Sequence, residues 1–79
     1  MASIEDAILD ALAATPAGKS ISPDEVAKAV DLERWRRLLP QVKAAAVGLA
    51  RAERLVILRH NKPVDPVQPI KGVYRLRLP

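Results

Sequence analysis

The sequence predicts an α+β domain, with three amphipathic helices in its first two thirds and two strands after them. Apolar residues recur at helical spacing up to about residue 54, then give way to a β-branched run and to strict alternation. Two serine-acid cap signatures mark helix starts, and prolines and glycine punctuate the rest. With 79 residues, no cysteine and only Trp35 and Tyr74 as aromatics, one aliphatic core has to serve every element, so residues 1–79 read as a single domain.

Ser3 and Asp6 stand at capping-box spacing, with an acid in place of the usual Glu or Gln. Ile4, Ala7, Ile8, Ala11 and Leu12 follow at helical intervals, giving a first helix at about 3–14 that ends in Thr15-Pro16-Ala17-Gly18. Gly18-Lys19-Ser20 resembles the end of a phosphate-binding loop. The motif's first glycine would fall on Ala13, and a helix rather than a strand precedes it, so that reading fails. Ser22-Pro23-Asp24-Glu25 combines a cap, a first-turn proline and a capping-box acid. It opens a second helix at about 23–31, with Val26, Ala27, Ala29 and Val30 on its buried side. Ile21, just before the cap, suits a brief extended pairing or a hydrophobic staple.

Residues 31–39 read as a turn bringing Trp35 and Leu38 onto the core, with Trp35 as a core plug. Pro40 then opens a third helix at about 40–54, whose wheel puts Val42, Ala45, Ala46 and Leu49 in one stripe. Leu55-Val56-Ile57-Leu58 begins a strand at about 55–60, and His60-Asn61-Lys62-Pro63 is turn material. Residues 63–69 carry three prolines and cannot form a central strand; a stiff loop explains them without a peptide-binding partner. Tyr74, Leu76 and Leu78 alternate with Val73, Arg75 and Arg77, a half-buried strand at about 73–78. Two strands are marginal alone and need the helices beneath them. Helix two, turn and helix three form a helix-turn-helix unit with the terminal hairpin as a wing, which is a winged helix.

The run Ser22-Pro23-Asp24-Glu25-Val26-Ala27, then Trp35-Arg36 with Leu39-Pro40 and Val42-Lys43, resembles a bacterial family of small winged-helix proteins of unknown function. Lys62-Pro63-Val64-Asp65-Pro66 and Arg75-Leu76-Arg77-Leu78 are similar to that family's closing motif, so the resemblance spans roughly residues 4–79. It implies a fold and a regulatory association rather than an activity. Members commonly place a glycine between helix three and the first wing strand, where this chain has Arg54.

Composition excludes several classes. At 49% hydrophobic residues and a mean hydropathy near zero, the chain is too apolar for a disordered tail. No apolar run approaches the ~18 residues of a membrane span, and no basic-then-apolar leader opens the chain, so a cytoplasmic location is expected. His60 is the only histidine, no Ser-His-acid or paired-carboxylate set is suggested by spacing, and no ligand cluster is present. Neither an enzyme, a cofactor, a metal nor a small-molecule substrate is expected.

The charge is divided along the chain. Residues 1–33 hold seven acids against Lys19 and Lys28, a balance of −5; residues 34–79 hold eleven cations against Glu53 and Asp65, a balance of +9, and together they return the net +4. Such a half-chain suits a polyanion, because neutralising phosphates releases condensed counterions. Double-stranded DNA is therefore the expected partner. In a winged helix the exposed face of helix three enters the groove while the wing touches the backbone. Lys43, Arg51, Arg54, Arg59 and Lys62 are the expected contacts, with Lys71 also flanking the wing, Arg75 and Arg77 lining a strand's outer face, and Arg36 and Arg37 preceding the helix. Ala44, Val47 and Gly48 occupy the exposed middle of helix three and offer nothing to base edges, so sequence reading should be modest. Those three small residues support the alternative, a protein-interaction module or homodimer that binds no nucleic acid.

Overall fold

A computed structural model describes residues 3–16, 18–67, 70 and 72–79. Ala17, Pro69 and Lys71, which the sequence placed in turns and beside the wing, lie outside the described residues. The domain is α+β, with three helices and a three-stranded antiparallel sheet.

Helix α1 (Ile4–Ala13) starts at a full capping box: Ser3 Oγ accepts from the Asp6 amide at 3.1 Å, and Asp6 accepts from the Ser3 amide at 3.4 Å. Ile8 and Leu12, one turn apart, are its buried residues. Helix α2 (Pro23–Val30) repeats the device with Ser22 and Glu25, and buries Val26 and Ala27. Ala29 and Val30 were expected on that buried side too. They instead border an open groove against α1, leaving Val30 45% exposed.

Helix α3 runs Trp35–Arg51, five residues earlier at its start than the proline signal implied. Pro40 sits inside it. The reason lies in the apolar spacing: Trp35, Leu38 and Leu39 continue the stripe of Val42, Ala46 and Leu49 and pack against the same core. That burial outweighs the one intrahelical hydrogen bond Pro40 removes. Arg34 offers the helix no side-chain cap; upstream, Asp31 accepts from the amides of Glu33 and Arg34 at 3.1 and 3.2 Å and shapes the turn.

The far end of α3 closes in a Schellman motif. The Arg54 amide bonds the Leu49 carbonyl at 2.9 Å and the Glu53 amide bonds Ala50 at 3.0 Å, with Glu53 left-handed at φ 63°. The chain then enters β1 (Val56–Arg59), turns through His60 (φ 52°) and Asn61 (φ 64°), and returns as β2 (Lys62–Pro63). Two residues at positive φ between paired Arg59 and Lys62 make a type I′ hairpin, matched to strand twist. Strand β2 was expected only as turn. Pro63 is accommodated because it pairs with Leu58 on the sheet's edge, while the next residue, Val64, donates to Ile57 at 2.9 Å.

Strand β3 (Arg75–Arg77) flanks β1 on its other side, with Ile57 opposite Leu76. Both strands are shorter than the sequence suggested. Ile21 does form the expected extended pairing: its amide and carbonyl exchange 2.8 Å bonds with Leu76. Ile57 and Leu76 face the helices, where they join Ile8, Leu12, Val26, Val42 and Ala46 in one core. The alternation at the C-terminal end holds for Tyr74 and Leu76, which are buried, but not for Leu78, which is exposed.

Candidate functional site

Charge separates by element. Helix α1 carries Glu5, Asp6 and Asp10 with no cation, whereas α3 carries Arg36, Arg37, Lys43 and Arg51 with no acid. Because α3 begins at Trp35, Arg36 and Arg37 lie in its first turn rather than before it. Positions 37, 44 and 51 are two turns apart and fall on one face, opposite the stripe of Val42, Ala46 and Leu49. Arg37, Ala44 and Arg51 are all exposed there, with Arg36 beside them.

The expected contacts differ in how free they are. Arg54 is exposed just beyond the helix, and Lys62 is exposed at the tip of the β1–β2 hairpin. Lys43 is half-buried and its ammonium donates to the Ile70 carbonyl, tying that residue to α3. Arg59 is half-buried as well. Its guanidinium lies 3.2 Å from where a Cβ on Gly72 would stand, and Gly72 itself is left-handed at φ 79°, a conformation that favours glycine. The Nε atoms of Arg59 and Arg77 are buried with no hydrogen-bond partner among the described residues.

Of the small-residue patch, Ala44 is exposed and Gly48 opens onto free space, but Val47 is half-buried against the core. Trp35 is half-buried in the same way, with the Lys28 ammonium 4.7 Å and the Arg36 guanidinium 5.0 Å from its ring centre. It is a partial plug that also gathers two cations, a role the wheel could not reveal because Lys28 comes from α2. On the outer sheet face Arg75 donates through Nε to Ser20 Oγ at 2.7 Å and through Nη2 to the Ser20 carbonyl at 2.9 Å. The cations whose partners are seen thus engage carbonyls, a hydroxyl and an indole ring rather than the acids of the first half.

Among the described residues no group of three or more His, Cys, Asp or Glu could hold a metal ion, and no helix is long and apolar enough to cross a membrane. A family model described as "Protein of unknown function (DUF3253)" matches residues 1–79. The chain belongs to the DUF3253 family. DUF3253 fits the expectation of a small family of unknown function, and its description adds no activity. No curated protein matches this DUF3253 chain.

Proposed function

We propose that the domain is a winged helix that binds double-stranded DNA chiefly through phosphate contacts. Supporting the fold assignment, the lateral order Ile21, β3, β1 beside the α2–α3 pair is that of a winged helix, with the β1–β2 hairpin projecting as the wing. The observation that carries the functional reading is the face of α3: Arg36, Arg37 and Arg51 are exposed on a helix without a single acid. Such a face concentrates positive potential where a groove-entering helix needs it. Lys62 and Arg54 add exposed cations at the hairpin tip and just beyond the helix, while Lys43 is engaged with Ile70 and Arg59 is half-buried beside Gly72.

Specificity should be modest. Ala44 and Gly48 occupy the centre of the face and present no hydrogen-bonding side chain to a base edge. The same two residues are what remains of the alternative protein-contact surface, since Val47 packs inward. In this reading the protein works as a non-enzymatic, cytoplasmic regulator without cofactor.

Fluorescence anisotropy of a random 20-base-pair duplex, titrated at several salt concentrations, tests the proposal. Binding at low salt with a negative log–log slope supports it; no binding at 25 mM salt overturns it.

A further inference from the structure

A cavity of about 540 Å³ opens between the start of α2, the first half of α3 and the chain entering β3. Its apolar wall comes from Pro23, Leu39, Pro40 and Val73, and Val73 is 84% exposed, far more than an aliphatic side chain with no partner warrants. Five polar residues share the lining: Ser22, Asp24, Lys43, Tyr74 and Arg75.

Tyr74 is only 8% exposed and closes one side of the cavity. Burial, reinforced by the negative charge of Asp24, pushes the phenol up to about 12, so it stays a neutral donor at any physiological pH.

Lys43 spends one of its three N–H bonds on the Ile70 carbonyl, and Arg75 spends Nε and Nη2 on Ser20, so both cations keep donors in reserve. Lys43, Arg75 and the Tyr74 phenol are three donor-bearing side chains among the residues lining one apolar-walled space. That arrangement matches an oxygen anion attached to an apolar body. Asp24 on the rim adds one negative charge, which penalises a dianion more than a monoanion.

We propose that this cavity is a binding site for a small, apolar organic monoanion, an aromatic or branched carboxylate, whose ring lies on Leu39, Pro40 and Val73 and whose carboxylate meets Tyr74, Lys43 and Arg75. The site does not depend on DNA binding, since Lys43, the cavity's one residue among the expected DNA contacts, is engaged with Ile70.

The test is a ¹H–¹⁵N correlation titration of the whole chain with three probes: naphthalene-1-carboxylate, the isosteric neutral naphthalene-1-methanol, and inorganic phosphate. The carboxylate should bind saturably, with a dissociation constant of about 0.1–1 mM, as expected for a ligand of this size. Its shifts should centre on the amides of Asp24, Leu39, Lys43, Val73 and Arg75. The alcohol should bind about tenfold more weakly, and phosphate should leave these amides unmoved at the same concentration. Val73→Asp, on an exposed side chain that the fold does not need, should abolish carboxylate binding, and Tyr74→Phe should weaken it three- to tenfold. Equal binding of the alcohol, shifts scattered over the surface, or full binding by Val73→Asp would each overturn the proposal.

Discussion

Replacing Arg51 with alanine isolates one cation of the α3 face at little expense to the fold. The side chain is exposed on the last residue of the helix, so the stability lost is the favourable interaction of a cation with the helix C-terminus, about 0.3–1 kcal/mol. The effect on DNA binding should be larger and of a particular form. Arg36, Arg37, Arg51, Arg54 and Lys62 are the exposed cations of the proposed contact. With each neutralising one phosphate, log K should fall with log salt at a slope of about −4.5, so a fourfold rise in salt weakens binding about 500-fold. Arg51→Ala leaves four contacts, a slope of about −3.6, and a loss of about 150-fold over the same salt range. Anisotropy titrations of the random duplex at 50, 100 and 200 mM salt read both slopes directly. Lys19→Ala serves as the control: it removes an exposed cation from the acidic half and should leave the slope alone. Identical slopes for wild type and Arg51→Ala, or an equal change in Lys19→Ala, would refute α3 as the phosphate-contacting face.

Four further outcomes are expected. Glu53→Gly relieves a left-handed non-glycine residue in the Schellman motif and should leave stability unchanged or raise it by up to about 1 kcal/mol in urea unfolding. Asn61→Gly at the second position of the I′ turn should likewise be neutral or stabilising, and Asn61→Val destabilising, in the same assay. Ser22→Ala removes the α2 cap and should lower stability by about 1 kcal/mol. Tyr74 has a folded pKa above the ordinary 10, so the folded state keeps its proton longer than the unfolded chain. Stability from this group is present below pH 10 and is lost as pH rises toward 12, by at most about 3 kcal/mol. As Tyr74 is the only tyrosine, absorbance at 295 nm follows its ionisation directly, and Tyr74→Phe should flatten the alkaline loss.

How legible the fold was depended on whether local chemistry and tertiary packing agreed. Helices α1 and α2 could be read nearly to the residue because Ser3 with Asp6 and Ser22 with Glu25 are self-contained capping devices. Helix α3 could not, because Pro40 carries a strong local start signal while Trp35, Leu38 and Leu39 find their partners only in the folded core. Strand β2 was hidden for a related reason: Pro63 reads as a breaker, and only the pairing with Leu58 shows that its missing N–H lies on an edge. At the candidate site, the exposure of Arg37, Ala44 and Arg51 followed from helical periodicity alone. The engagement of Lys43 with Ile70, 27 residues away, did not, because hydrogen bonds to distant carbonyls leave no periodic trace in a sequence. The cavity beside Tyr74 was equally hidden, since its lining comes from three separate segments.

The two hydrogen bonds between Ile21 and Leu76 join segments 55 residues apart, and Leu76 is fully shielded from solvent. Fraying of one helix or hairpin cannot release these two amide protons, because each is held between the helical half and the sheet. Their deuterium exchange should therefore be among the slowest in the molecule and should proceed only when the whole domain opens. Two resonances would then act as a clock for global unfolding, against which the faster exchange of the β1–β2 hairpin gives the free energy of opening the wing alone.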